Sequence, residues 1–161
     1  MSEMGIIFAT AGMALASLLP GWGSAKGVGM AGQSAAGAVA EDSNLFGKVL
    51  LLQLLPGTQG IYGLLIAFLT MSQIGIIGGG AVEISYIKGL AYFAACMPMA
   101  IVGYLSAIHQ AKASVASINL VAKSPDQFGK AMIFPAMVET YAILALLVSL
   151  LAVFGVTGMN I

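Results

Sequence analysis

The chain has 161 residues, of which 60% are hydrophobic and only 7% are charged. Soluble domains have about 25% charged residues, so this composition excludes a water-facing surface and indicates an integral membrane protein in a lipid bilayer. Six lysines balance six acidic residues, arginine is absent, and the single Cys96 excludes an internal disulfide. The net charge by itself says nothing about nucleic acid, and for an integral membrane protein we expect no nucleic acid partner.

Four apolar segments follow one another along the chain, at residues 5–25, 48–77, 87–109 and 131–155. Each is close to or above the ~20 residues that a membrane-spanning helix needs. The connections contain turn and cap residues: Ala-Glu-Asp-Ser-Asn, a triple glycine at 78–80, and Lys-Ser-Pro-Asp-Gln. Because a backbone in lipid must satisfy its own hydrogen bonds, these segments predict an all-α protein with four transmembrane helices.

The lysines are distributed unevenly around these segments. Five lie toward the first and third connections, and only Lys88 lies toward the other side of the membrane; the five are Lys26, Lys48, Lys112, Lys123 and Lys130. The positive-inside rule then predicts that the 1–2 and 3–4 connections are cytoplasmic and that both termini and the glycine-rich connection are outside. The simple composition favours a bacterial plasma membrane.

The first apolar segment and its continuation contain small residues spaced four apart. They form two parallel stripes: Gly21, Ala25 and Gly29, and Gly23, Gly27, Ala31 and Ala35. Such stripes let two helix backbones approach closely in lipid. The pattern predicts packing on a neighbouring helix of the same chain, and its length suggests the inner layer of a larger assembly.

The chain also repeats itself. Phe46-Gly47-Lys48 matches Phe128-Gly129-Lys130, and at the same 82-residue offset Gly57-Thr58 falls on Glu139-Thr140. The repeat predicts two duplicated helical hairpins, residues 1–80 without a buried carboxylate and residues 81–161 with Glu139. Because both hairpin loops lie on the same side, the repeats are parallel. Inverted repeats are typical of secondary transporters, so this geometry favours a ring element.

Glu139 lies deep in the fourth apolar segment, where an acidic residue costs about 2.5 to 3.5 kcal/mol to insert. Gln110 and Glu139 are equally far from the Ser124-Pro125 turn, about 22 Å at the rise of an α-helix. The repeat places Thr58 and Gln59 at nearly the same level, with Tyr62 one turn further on. A carboxylate, two amides and two hydroxyls are oxygen ligands of the kind a hard cation prefers.

Several alternatives remain open from the residues alone. Glu139 can form an ion pair with Lys112, and the amides can serve as interhelical hydrogen bonds. Glu139 can also be the ion site of a self-contained channel or secondary transporter. Pro56 taken alone favours a simple kink, and the alternative is that it frees backbone carbonyls near Gln53 and Leu55. His109 faces away from Gln110 along the helix, which favours a neutral packing role.

Three segments resemble the rotor-ring proteolipid of V-type ATPases: Leu-Leu-Pro-Gly-Thr-Gln-Gly-Ile-Tyr-Gly, His-Gln-Ala-Lys and Ala-Met-Val-Glu-Thr-Tyr-Ala-Ile. The resemblance covers essentially the whole chain and is strongest to the sodium-transporting bacterial version. It implies a ring of identical subunits that carries a monovalent cation across the membrane by rotation. It further implies a non-catalytic subunit that binds no nucleotide, since ATP hydrolysis takes place in other subunits.

The resemblance also assigns roles to individual residues. It implies that Na⁺ is held by a carboxylate, three side-chain oxygens and one backbone carbonyl; these are Glu139, Thr58, Gln59, Gln110 and the carbonyl of Leu55. Tyr62 would close the site. The implied partners are a membrane stator that supplies a positive group and the subunits of a central stalk. Protons are the alternative cargo, and the family pattern gives no role to His109 or Trp22.

Overall fold

The computed structural model describes residues 2–78 and 83–161, so Gly79 and Gly80 of the triple glycine lie outside the described residues. The α-helices are α1 (Ser2–Glu41), α2 (Phe46–Leu54), α3 (Thr58–Gln73), α4 (Tyr86–Lys123) and α5 (Phe128–Thr157). Short 3-10 turns join α1 to α2, α2 to α3, and α4 to α5. Four helical stretches are long and apolar enough to cross a membrane: Met4–Glu41, Ser43–Gln73, Tyr86–Lys123 and Pro125–Thr157. The predicted four-helix architecture is confirmed, with α2 and α3 together forming the second span.

Two helices are longer than the apolar segments predicted. α1 continues from residue 25 to Glu41, and α4 continues from residue 109 to Lys123. These extensions are rich in alanine, serine and glycine, which hydropathy alone does not mark as membrane-spanning but which allow two helices to stay packed together. The Ser34 hydroxyl donates to the Asn119 side-chain oxygen at 3.2 Å and joins the two extensions.

α1 and α4 pack with their backbones nearly touching. A Cβ atom added to Gly89 would overlap the Gly5 carbonyl oxygen, and one added to Gly12 would lie 2.7 Å from the Cα of Phe93. Any side chain at these glycines would force the helices apart, so the close approach depends on small residues. This contact forms the centre of the molecule, with α3 and α5 packed against it.

The two stripes of small residues on α1 have different surroundings. The stripe that begins at Gly23 and Gly27 is buried against α4 and the Pro56 turn. The stripe of Gly21, Ala25 and Gly29 is open, because a Cβ atom on Gly21 or Gly29 would meet nothing within 4 Å. The packing predicted within the chain is therefore confirmed for one stripe, and the other faces outward.

Prolines interrupt the helical hydrogen bonding, and side chains of neighbouring helices compensate. Pro135 has no N–H group, so the carbonyl of Ala131 loses its helical partner; the Ser117 hydroxyl donates to that carbonyl at 2.8 Å. The Ser149 hydroxyl on α5 accepts a bond of 3.0 Å from the N–H of Met99, which follows Pro98 in α4. These contacts hold α5 against α4 at defined levels.

Candidate cation-binding site

Glu139 is half-buried on α5, where side chains from two other spans reach its carboxylate. The Tyr62 hydroxyl on α3 donates to Oε1 at 2.7 Å, and the Gln110 amide on α4 donates to Oε2 at 3.3 Å. Both carboxylate oxygens therefore have a donor, which offsets part of the cost of an acidic group in an apolar environment. The sequence predicted that Gln110 and Glu139 lie at the same depth in the membrane, with Tyr62 close to it. These hydrogen-bond distances agree with that prediction.

The two glutamines of the site are fully buried and bonded to each other. The Gln59 Nε2 group donates to Oε1 of Gln110 and, at 3.4 Å, to the Ser106 hydroxyl. The Gln110 Nε2 group also donates to the Pro135 carbonyl at 3.1 Å. The Oε1 atom of Gln59 is buried without any hydrogen-bond partner among the described residues. A buried amide oxygen without a partner is costly, and a cation is one ligand that would satisfy it.

Thr58 and Leu55 form a separate contact beside this network. The Leu55 carbonyl, in the 3-10 turn Leu55–Gly57, accepts bonds from the Thr58 N–H and from the Thr58 hydroxyl at 3.0 Å. Of the two alternatives for Pro56, a freed carbonyl is therefore not observed at Leu55. Among the described residues, neither Thr58 nor Leu55 is bonded to Glu139. The Thr58 hydroxyl that donates to Leu55 keeps the lone pairs of its oxygen, which can bind a cation.

Contacts from α1 fix the position of the break between α2 and α3. The buried Ser24 hydroxyl accepts a bond of 2.8 Å from the N–H of Gly60. A Cβ atom on Gly27 would lie 2.9 Å from Pro56, and one on Gly63 would overlap the carbonyl oxygen of Ala16. The beginning of α3, which contains the site residues of the second span, is thereby held close to α1.

The alternative ion pair is not formed. Within the described parts of the chain, the Glu139 carboxylate is bonded by Tyr62 and Gln110, whereas the Lys112 side chain is exposed. His109 is also exposed and lines an apolar surface cleft of about 320 Å³ between α4 and α5. Trp22 is 60% exposed and packs on Tyr104 with ring centroids 5.6 Å apart.

One carboxylate surrounded by neutral oxygens is suited to a monovalent cation, because the filled site is neutral overall. A divalent cation is usually held by more carboxylates or by histidines. No group of three or more histidine, cysteine or acidic residues that could hold a metal occurs in the described ranges 2–78 and 83–161. The site thus has the charge and the ligand type for Na⁺ or, with the carboxylate alone, for a proton.

Ser106 belongs to this network but was missed by the sequence reasoning. It lies four residues before Gln110 on α4, is 5% exposed, and contacts both Gln59 and α5. In the sequence, only the four-residue spacing from Gln110 could have indicated Ser106 as a site residue, because residues four apart share a helix face. Serine is common in membrane helices, so that signal does not distinguish a site residue from a packing residue.

Comparison with known proteins places the duplicated hairpins in one family. The sequence profile of the ATP synthase C subunit matches the chain twice, at residues 11–70 and 93–152. The matches are 82 residues apart, which is the offset of the internal repeat. The chain belongs to the ATP synthase C-subunit family.

Two relatives give a narrower comparison. The chain is 46% identical over 151 residues to the V-type sodium ATPase subunit K of Enterococcus hirae, across 94% of this chain and 93% of that protein. It is 40% identical over 151 residues to the A-type ATP synthase subunit K of Methanocaldococcus jannaschii, across 94% of this chain and 64% of that protein. The identification as a rotor-ring proteolipid, made from the sequence, is confirmed.

Proposed function

We propose that this chain is the rotor-ring subunit of a sodium-transporting rotary ATPase, with Na⁺ bound at Glu139. The observation that carries the proposal is the Glu139 carboxylate bonded by Tyr62 and Gln110, with the unpartnered Gln59 oxygen buried in the same network of described residues. The proposed ligands are Glu139, Gln110, Gln59, Thr58 and the Leu55 carbonyl, with Tyr62 closing the site. The name of the Enterococcus hirae relative supports sodium as the cargo.

The physical basis of transport is the cost of charge in lipid. A carboxylate with a bound monovalent cation is neutral overall and can move past the acyl chains, whereas an empty carboxylate is expensive there. The ring can therefore rotate against lipid only while its sites are filled. Each elementary charge moved against 100 mV costs about 2.3 kcal/mol, and ATP hydrolysis in other subunits supplies this energy as rotation.

Release of the cation requires a positive group that faces Glu139 from outside the ring. The chain has no arginine, and its Lys112 side chain is exposed, whereas Glu139 is bonded by Tyr62 and Gln110. A membrane stator subunit would supply this group, and central stalk subunits would contact the ring at the hairpin loops. We place those loops in the cytoplasm of a bacterial cell, with both termini outside the plasma membrane, on the asymmetry of the lysines.

Assembly of identical copies is supported by the open stripe of α1. Gly21 and Gly29 have space for a neighbouring helix, whereas the stripe at Gly23 and Gly27 is already occupied within the chain. One stripe is used inside the subunit, and the other is available between subunits. In a ring, a helix of the neighbouring copy would cover the open stripe, and small residues would allow a close approach there as they do within the subunit.

Labelling of Glu139 with a carbodiimide tests the cargo, because this reagent reacts with the protonated carboxyl group. In purified rings, Na⁺ should slow the labelling in a saturable way, and K⁺ at equal ionic strength should not. Glu139→Gln should remove the labelling and so identify the reactive group. If Na⁺ gives no protection at any pH, the sodium assignment is wrong and a proton-carrying ring remains. A particle with one or two copies by electron microscopy would instead favour the self-contained transporter.

A further inference from the structure

Ser106 connects three helices next to the carboxylate. Its hydroxyl donates to the Val138 carbonyl on α5 at 3.2 Å and accepts a bond of 3.4 Å from the Gln59 Nε2 group on α3. Val138 is the residue before Glu139, and Ser106 lies one turn before Gln110 on α4. Ser106 is thus in contact with the backbone that holds the carboxylate and with a proposed ligand.

Two backbone carbonyls determine the direction of every hydrogen bond around Gln59. A carbonyl oxygen can only accept, so Ser106 must use its single hydrogen on Val138 and can only accept from Gln59. In the same way, Gln110 turns its NH₂ group toward the Pro135 carbonyl and presents its oxygen to Gln59. Both neighbours of the Gln59 amide are therefore acceptors.

This arrangement leaves only one orientation for the Gln59 amide. The NH₂ group must face Ser106 and Gln110, because a flipped amide would place its oxygen against two other acceptor oxygens. Oε1 then points away from both and is buried without a partner in the described part of the chain. A cation needs an oxygen at this position, whereas an NH₂ group would repel it.

We propose that Ser106 is a positioning residue that fixes the orientation of the Gln59 amide, so that its oxygen faces the cation. The inference rests on the proposed function and adds to it a residue that contacts the ion only through Gln59. It also distinguishes Na⁺ from a proton as the transported ion. Na⁺ binding requires the oriented amide oxygen, whereas protonation of Glu139 requires only the carboxylate, so loss of Ser106 should weaken Na⁺ binding selectively.

The test uses Ser106→Ala in assembled rings, with Na⁺ protection of Glu139 against a carbodiimide as the readout. One neutral interhelical bond corresponds to about three- to tenfold in affinity. The 3.4 Å distance puts this bond at the lower end, so the Na⁺ concentration for half protection should rise by about threefold. Protection is measured relative to the labelling rate of the same variant without Na⁺. In a Gln59→Ala background, Ser106→Ala should add less than about a twofold change, because the two residues act through one contact.

Ser117→Ala is the matched control. Ser117 lies on the same helix and also donates to an α5 carbonyl, that of Ala131 at 2.8 Å, but it is three turns from Ser106. Its removal costs the same type of bond, and the Na⁺ concentration for half protection should not change. Ser106→Cys keeps a small side chain but has a weaker donor, so it should give a smaller shift in the same direction. It replaces Ser106→Ala if the Ser106→Ala ring does not assemble.

Each outcome separates this inference from the proposed function. Protection of the unmodified ring with no shift in the Ser106 variants, or an equal shift in Ser117→Ala, overturns the positioning role and leaves the sodium site intact. Absence of Na⁺ protection in the unmodified ring overturns both. A shift confined to the Ser106 variants that disappears without Gln59 is the result we expect.

Discussion

Replacing Gln110 with leucine tests whether this buried amide is an ion ligand or only an interhelical hydrogen bond. Gln110 has no exposed surface and makes three kinds of contact: with the Gln59 amide, with the Pro135 carbonyl at 3.1 Å, and with the Glu139 carboxylate at 3.3 Å. Leucine has a similar size and keeps the apolar packing between α4 and α5. The substitution therefore removes the amide oxygen and nitrogen, and it also takes away the bonding partner of the Gln59 NH₂ group and of the Pro135 carbonyl.

The expected magnitude follows from the contact with the carboxylate. A hydrogen bond to a charged group contributes about 1.5 to 3 kcal/mol, and the 3.3 Å distance puts this one at the lower end. A loss of about 1.4 kcal/mol corresponds to a tenfold weaker equilibrium. If the amide oxygen is also a ligand, the Na⁺ concentration for half protection of Glu139 should rise by about tenfold or more. Glu139 should still react with the carbodiimide without Na⁺, because protonation does not need the amide.

The measurement is a Na⁺ titration of carbodiimide labelling in purified rings, at constant pH and ionic strength. Ser114→Ala is the control, since Ser114 is one turn further along α4, fully buried, and its hydroxyl has no partner among the described residues. That variant should titrate like the unmodified ring. If Na⁺ protects Gln110→Leu at the same concentration at which it protects the unmodified ring, Gln110 only forms hydrogen bonds between helices and is not a ligand.

Three further predictions concern stability and access to the site. Ser114→Ala should leave the thermal dissociation of the ring unchanged or raise the stability of the ring by up to about 1 kcal/mol. The reason is that the substitution removes a buried hydroxyl that bonds to none of the described residues. A lower stability would contradict this. Gly63→Ala should destabilise the subunit by about 1 to 3 kcal/mol, since its Cβ would overlap the Ala16 carbonyl oxygen. Circular dichroism during heating measures this effect, and Gly29→Ala, with nothing within 4 Å in the subunit, is the control that should unfold normally. Tyr62→Phe removes the 2.7 Å bond to Glu139 and should speed carbodiimide labelling without Na⁺ by about threefold or more. An unchanged rate would show that the Tyr62 hydroxyl does not close the site.

Much of the fold is determined by short-range properties that the sequence displays directly. Hydropathy identified the four spans, and the repeat identified the two hairpins, because a helix in lipid must be apolar over a nearly constant length. The sequence also identified the depth of the site. The rise per residue of a helix is constant, so the distances of Gln110 and Glu139 from the Ser124-Pro125 turn follow from counting.

The tertiary structure decided how each helix is rotated about its axis, which counting residues along a helix does not give. That rotation depends on which side chains pack between helices, as where Gly89 contacts Gly5 and Gly63 contacts Ala16. It determines that the Gly23 stripe of α1 is internal and the Gly21 stripe is open. It also brings Ser106 to Gln59. The level of a polar residue in the membrane is thus a property of its own helix, whereas the partner that it meets there depends on how all the helices pack together.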